Sequence, residues 1–273
     1  MSDILIQEVK LEDIGLDALY EYCLRLRNPI VITDIFTSLP NFKNWTMDYL
    51  VSKVGHKNVT VDISDDGVFT VDSKTGIPTY QSKTIDLKHY VEEMYQNNSK
   101  YKMYARKISI LEQLPELKSD IKLIDYIPCN ALRYINLWVG QGGNVSPLHF
   151  DYYNNYFIQL LGDKKMWLYS PQDFHHLYPN SWKSDAYSLS RINAEGPNFV
   201  KYPSAAKATR IELTISAGSI LFLPSHWWHQ VRSLNTGISL NIWCEPTLRQ
   251  RFVSAYLHSM LNGAYNSIKS VFI

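Results

Sequence analysis

"SPLHFDYYNNYFIQLLGDKK", residues 146–165, sets a histidine and an aspartate two residues apart and follows them with a lysine pair at 164 and 165. In an extended strand, residues i and i+2 face the same side, about 6–7 Å apart. His149 and Asp151 therefore project together while Phe150 points away. An imidazole nitrogen and a carboxylate oxygen on one face are two ligands for one metal ion. A second histidine would complete the two-histidine, one-carboxylate face that holds non-haem iron(II) and leaves coordination positions open. A polar pair on a strand edge can also simply satisfy itself, so the spacing gains chemical meaning only with a third ligand.

That ligand has to come from another strand. His175 and His176 follow Ser170-Pro171, which opens a turn or helix, and His56, His89 and His258 fall in helical or turn segments. "LFLPSHWWHQVRS", residues 221–233, offers His226 just after the Pro224-Ser225 turn and His229 at the head of an extended run. His229 is the preferred ligand, with Trp227 and Trp228 expected to wall the site. A metal with open positions needs a co-substrate to reduce dioxygen. A 2-oxo acid that chelates through its keto oxygen and C1 carboxylate leaves a far carboxylate in need of a cation. Lys164 is the candidate: it opens the strand after the Gly162-Asp163 turn, expected as the hairpin partner of the segment running on from Asp151. A buried lysine is costly without an anion. Alternation sends Lys165 to the opposite, solvent-facing side.

The elements that position these residues change character along the chain. Residues 14–26 carry apolar side chains near helical spacing, and Asn28-Pro29 stops them. "PIVITDIF" predicts a strand, and "WTMDYLVSKVG" a short helix capped by Thr46 and closed by Gly55. "NVTVDISDDGVFTVD" alternates around Asp-Asp-Gly and predicts a hairpin; helices are expected near 84–97 and 106–119. From about residue 131, short strands punctuated by Gly142-Gly143, Gly162-Asp163, Gly218-Ser219 and Asn235-Thr236-Gly237 predict an antiparallel sandwich or barrel. The expected architecture is mostly β with a helical rim. An N-terminal helix/strand segment (1–130) packs on a barrel core (131–246), and a helical tail (247–273) follows, all within one domain.

The combination resembles a known family. "VSPLHFDYYNNYFIQLLGDKKMWLYSPQDFHHLYP", "AGSILFLPSHWWHQV" and "GISLNIWCEP" are similar to the Jumonji-C hydroxylases of the cupin superfamily, whose core is a double-stranded β-helix of jelly-roll type. The likeness is greatest to the small single-domain branch of asparaginyl, arginyl and lysyl hydroxylases and the tRNA wybutosine hydroxylase, and it runs from about residue 28 to 246. It implies Fe(II), 2-oxoglutarate and O2, with His149, Asp151 and His229 as metal ligands. It also implies Lys164, Ser146 and Tyr104 at the distal carboxylate of 2-oxoglutarate, and Asn155 and Asn241 lining the co-substrate and the iron. The implied reaction is hydroxylation of a C–H bond.

Substrate class is less constrained. Ser188-Leu189 stands where the asparaginyl hydroxylase carries an Arg-Gln substrate clamp, so that clamp is not expected here. Arg133, Trp138, Tyr152, Tyr153 and the loop 180–196 are candidates for the mouth of the site. A protein or peptide side chain is the expected substrate; a tRNA nucleoside and an N-methyl-lysine are the alternatives. The formal charge of +1 announces no general attraction to nucleic acid.

Composition bounds the rest. Over 273 residues, 45% are hydrophobic and 19% charged, which supports a sizeable core and argues against disorder. Aromatics reach 13%, with 19 tyrosines, as suits a β-rich scaffold around a lined pocket. Cys23, Cys129 and Cys244 are widely separated and predict free thiols in a reducing compartment. The amino end predicts no signal peptide, no window is apolar enough to span a bilayer, and a cytoplasmic location is expected. In "TLRQRFVSAYLHSMLNGAYNSIKSVFI", Leu248, Phe252, Tyr256 and Met260 recur by fours. The stripe is broader than one barrel face requires and predicts a homodimer through these helices.

Overall fold

The computed structural model describes residues 6–72, 75–96, 100–251, 260 and 264. Five strands come from the first half: β1 (Gln7–Lys10), β2 (Ile30–Thr33), β3 (Asn58–Ser64), β4 (Gln81–Asp86) and β5 (Lys102–Ser109). Eight follow at close intervals: β6 (Leu132–Gly140), β7 (Val145–Phe150), β8 (Asn154–Leu161), β9 (Asp163–Tyr169), β10 (Ile211–Ser216), β11 (Ser219–Leu223), β12 (Trp228–Ser233) and β13 (Gly237–Cys244). They form a nine-stranded sheet in the order β1-β2-β11-β8-β13-β6-β5-β3-β4 and a four-stranded sheet in the order β10-β9-β12-β7. Only the β1–β2 pair is parallel among these. Along the chain from β6 to β9 each strand falls in the opposite sheet from the last, and the same alternation runs from β10 to β13. The chain thus winds between two facing sheets, as a jelly-roll barrel does.

This winding corrects one expectation. Gly162 does not close a hairpin: β8 pairs with β11 and β13, whereas β9 pairs with β10 and β12. The chain crosses from one sheet to the other at a single residue with φ +73°, and a Cβ there would sit 2.3 Å from the carbonyl oxygen of Thr236. Only glycine serves at such a corner.

Strict alternation sorts the side chains. On β8, β13 and β6 one parity (Ile158, Leu240, Leu137) packs against the N-terminal helices. The other parity faces into the barrel. Helix Leu16–Arg25 buries Leu19 and Cys23, four residues apart, in that outer core. Thr46 caps helix Met47–Val54 by accepting a hydrogen bond from the Tyr49 amide at 3.1 Å. The outer face of the small sheet buries Phe150, Trp167, Tyr169 and Trp228 beneath residues 171–208.

Two local expectations fail, each for a physical reason. Residues 106–109 continue β5 instead of starting a helix: the strand pairs with β3 on one edge and β6 on the other, and Met103, Tyr104 and Ala105 are buried in succession, so its apolar pattern loses the period of two. Pro115 then starts a short 3-10 turn, Pro115–Asp120. The Asp-Asp-Gly turn does form, with the Asp66 carboxylate accepting from the Val68 amide at 2.9 Å, but no hairpin follows it. β3 pairs with β4 and β5, while Val68 bridges to Val145 and Phe69 is buried against Tyr80 and Tyr104. No helix among the described residues is long and apolar enough to cross a membrane. The expected dimer helices lie outside the described residues, apart from Leu248–Arg251 and the isolated positions 260 and 264.

Candidate metal centre and its cleft

Two neighbouring strands of the small sheet bring the expected ligands together. His149 on β7 pairs directly with His229 on β12, and their ring centroids lie 4.2 Å apart. Asp151 follows the end of β7 and turns its carboxylate towards both rings: Nε2 of His149 is 3.8 Å from Oδ1 and Nε2 of His229 is 3.7 Å from Oδ2. The three ligand atoms all lie within 4.8 Å of one another.

The rings are fixed for ligation. Nδ1 of His149 lies 2.7 Å from the Pro147 carbonyl oxygen, and Nδ1 of His229 lies 3.0 Å from that of Trp227. A carbonyl can only accept, so each Nδ1 carries the proton and each Nε2 presents a lone pair towards Asp151. Burial, with His229 beside it, pushes the His149 pKa down to about 4, partly offset by the Asp151 carboxylate. His149 is therefore a neutral imidazole at pH 7, the state a metal binds.

His226 is kept apart. Its backbone has φ +66°, its amide donates to the Asp151 carbonyl at 2.8 Å, and its ring stacks on Phe150 on the far side of the sheet. The tight turn that carries it is anchored by Asn154, whose side-chain oxygen accepts from the Ser225 amide at 3.0 Å. Trp227 and Trp228 do not wall the site as expected: Trp227 packs with Val31 and Leu221, and Trp228 with Phe150 on the outer face. Trp138 and Trp243, both on the large sheet, take that place in the inner cavity.

The second constellation faces the ligands across the barrel. Tyr104, Trp138, Ser146, Asn155, Phe157, Lys164 and Asn241 line one inner cavity with His149, Asp151 and His229. Lys164 is only 3% exposed, donates to the Tyr104 hydroxyl at 3.0 Å, and lies over the rings of Tyr104, Trp138 and Phe157. It makes no ion pair with a carboxylate among the described residues. Lys165 points the other way, to Glu212 at 2.6 Å, as alternation requires. Asn241 donates to the Asn155 side-chain oxygen at 2.9 Å, while its own side-chain oxygen and the Trp138 indole N–H are buried without a hydrogen-bond partner among the described residues.

Ser146 and His149 are three residues apart, so simple alternation would set them on opposite faces. The register between β7 and β12 shifts by one residue between these pairs, His229 opposite His149 and Val231 opposite Ser146. The resulting bulge holds Pro147, which has no N–H to waste, and returns both side chains to the interior.

Outside the cavity opens a cleft of about 540 Å³, walled by Phe69, Tyr80, Tyr152, Tyr153 and Trp243 and reaching His149 and Asp151. From the loop 180–196, Asp185, Ala186, Ser188 and Leu189 contribute, and Leu189 bridges to His149. Arg133 instead pairs with Glu245 at 2.6 Å and is not part of this wall. Arg106 and Lys107 line the cleft although residues 106–119 were expected to be helical; no residue type in that stretch marks the irregularity that places them there.

Residues 17–250 match the family model described as a cupin-like domain. The chain belongs to the cupin-like domain family. This cupin-like chain is 30% identical to lysine-specific demethylase 8 of Danio rerio over 224 residues, covering 80% of the chain and 53% of that protein. It is 29% identical to JmjC domain-containing protein D of Dictyostelium discoideum over 246 residues, covering 81% and 52%. With the human tRNA wybutosine-synthesizing protein 5 it shares 28% identity over 248 residues, covering 86% and 76%. The chain thus spans about half the length of the first two of these relatives. The Jumonji-C resemblance and the jelly-roll barrel are both borne out.

Proposed function

We propose that this cupin-like chain is an Fe(II)- and 2-oxoglutarate-dependent oxygenase that hydroxylates a C–H bond on a protein or peptide side chain. One observation carries the reading: two histidines with tied Nδ1 protons converge on one carboxylate beside a buried lysine that has no carboxylate partner among the described residues.

The residues fit both groups. His149, Asp151 and His229 would hold the iron: two neutral imidazoles and one carboxylate, with the remaining positions open. Lys164 would meet the distal carboxylate of 2-oxoglutarate with Tyr104 and Ser146, supplying the anion that a buried ammonium lacks. Asn155 and Asn241 would line the same cavity, where the orphaned oxygen of Asn241 and the indole N–H of Trp138 offer an acceptor and a donor. Bound together there, iron and 2-oxoglutarate supply an oxidation that places one oxygen atom of O2 in a C–H bond and the other in succinate, with loss of carbon dioxide. The aromatic walls exclude water and hold the target side chain near His149 and Asp151, so that positioning accounts for a large part of the rate.

A tRNA nucleoside is the second reading, favoured by the 76% of the human tRNA wybutosine-synthesizing protein 5 that the chain covers. An N-methyl-lysine is the third, since lysine-specific demethylase 8 is among its relatives. We also infer one functional unit, in which residues 1–130 support the barrel core 131–246. A homodimer through residues 247–273 is supported by the apolar spacing in that sequence. A cytoplasmic location is supported by three free thiols.

Anaerobic addition of Fe(II) and 2-oxoglutarate should raise a weak visible absorption band and a thermal shift. A colourless, unshifted protein would end the oxygenase reading. Incubation with cell extract under oxygen then separates the substrates by mass: +16 Da on peptides for the first reading, +16 Da on nucleosides for the second, and −14 Da on methyl-lysine peptides for the third.

A further inference from the structure

Lys107 stands out among residues not yet given a role. Between Ala105 and Ile108 the pairing of β5 with β6 slips by one residue, Ala105 opposite Val139 and Ile108 opposite Leu137. Lys107 occupies the slip with φ +56°, a left-handed backbone that a lysine rarely adopts and that costs free energy. The slip lets Arg106 and Lys107, adjacent in sequence, both reach the cleft, while Ile108 returns to the outer core. Strain kept at a cleft wall is a mark of function.

The two neighbours have different partners. Arg106 pairs with Asp62 at 2.5 Å and packs on the Tyr80 ring, so its charge is already met. Lys107 makes no ion pair among the described residues. It lines both the outer cleft and the inner cavity that holds His149, Asp151 and Lys164, so its side chain stands where the two meet. Its side chain is exposed at that junction, and the groups crowding the cleft wall lower its pKa, with Asp151 opposing the shift. Asp185 lines the outer cleft but not the inner cavity. Among the described residues, the charge that lines both cleft and cavity without an ion-pair partner is thus positive.

We propose that Lys107 is a specificity residue: its ammonium receives a carboxylate on the target residue of a polypeptide substrate and turns away cationic side chains. The inference rests on the oxygenase reading above and adds the charge of the substrate to it. A polypeptide is the substrate chosen because the surface is mixed in sign over a short span: Asp185 shares the cleft with Lys107, and the groove that continues from it carries Asp72 beside Arg191 and Lys201. A nucleic-acid track would call for cations of one sign along the groove, and here carboxylates alternate with them.

Five degenerate peptide libraries, each fixed at the centre as Asp, Glu, Asn, Lys or Arg, would be incubated with the full chain, Fe(II), 2-oxoglutarate and O2. Succinate release and +16 Da products would both be followed. The Asp or Glu library should be modified about tenfold or more faster than the Lys and Arg libraries, as expected for one charge-assisted contact. Lys107→Met should collapse that ratio, and Lys107→Glu should invert it. Calorimetry on metal-free protein should give the same ranking of peptide binding without turnover, and circular dichroism would check that each variant is folded. Preference for Lys or Arg by the wild type overturns the proposal. So does an unchanged ratio in both variants, or a sole effect on the 2-oxoglutarate requirement. Succinate release with no library modified also overturns it and leaves the oxygenase reading standing. No succinate release from the wild type refutes the oxygenase reading itself, and this proposal with it.

Discussion

The inner end of the barrel and its mouth are built on different terms, as their two lysines illustrate. Lys164 sits on a regular strand, 3% exposed, held by the Tyr104 hydroxyl and three aromatic rings. Lys107 sits on a bulge in a left-handed backbone and opens onto the cleft. At the inner end, plain alternation on β8, β9 and β13 turns Asn155, Lys164 and Asn241 inward, and the geometry has little freedom to vary. At the mouth, a slipped register, the buried Phe69 on an irregular segment and the loop carrying Asp185 do the work. The segment and the loop lie outside the regular strands, and the slip is confined to one pairing, β5 with β6. The difference separates a rigid inner end from a mouth whose shape depends on irregular segments.

The contrast can be broken most decisively at the metal. Asp151→Ala and His229→Ala should each abolish the iron-dependent absorption band, whereas His226→Ala should keep it because that ring lies across the sheet on Phe150. A surviving band in His229→Ala would overturn the ligand assignment. Next, Lys164→Ala should raise the 2-oxoglutarate requirement by a factor of about 30–150, or about 2–3 kcal/mol for a lost charge-assisted contact. Titration of the metal alone should change little, and equal losses of both affinities would mean that the inner end does not act as a separate carboxylate site.

Acid should expose the same inner and outer faces. His149 and His226 both have folded-state pKa values near 4, lowered chiefly by burial from the ordinary 6.5. The unfolded chain therefore binds more protons than the native one between about pH 4 and 6.5. Stability is full above 6.5 and falls as the pH drops through that window, by on the order of 2–3 kcal/mol per histidine. Thermal melts of metal-free protein at pH 7 and 4.5 would measure it, and His226→Gln should remove part of the dependence. The smallest effect belongs to Lys165→Ala. It loses an exposed pair with Glu212, worth under about 1 kcal/mol, and should leave the 2-oxoglutarate requirement unchanged.

Legibility followed the same division. His149, Asp151 and His229 were readable because strand parity is a strict rule. The choice between His226 and His229 was readable because one residue belongs to the turn and the other to the strand. Lys164 faces inward as parity required, although the turn before it is a corner between sheets and not a hairpin. Tyr104, Ser146, Asn155 and Asn241 came only through family resemblance. Ser146 could not follow from parity, since its three-residue spacing from His149 needs the bulge at Pro147. Lys107 was hidden for two reasons: the successive burial of Met103, Tyr104 and Ala105 breaks the alternation of β5, and a register slip leaves no mark in residue type. The role expected of Trp227 and Trp228 failed because neighbouring residues on β12 face opposite cores, and neither of those cores is the site.

The winding of the chain between sheets also sets an order of assembly. β13, the last strand, does not finish at an edge; it inserts between β8 and β6 in the middle of the large sheet. β12 likewise separates β9 from β7 in the small one. During synthesis, the strands that will flank these two emerge first and must wait with their central partners missing. His229, the proposed third metal ligand, is not in place until β12 has been released, nor Asn241 until β13 has. Contacts so distant in sequence fold slowly and leave unpaired edges exposed meanwhile. A nascent chain paused after β11 should therefore be protease-sensitive and unable to retain iron, and protection should appear in one step once β13 is released.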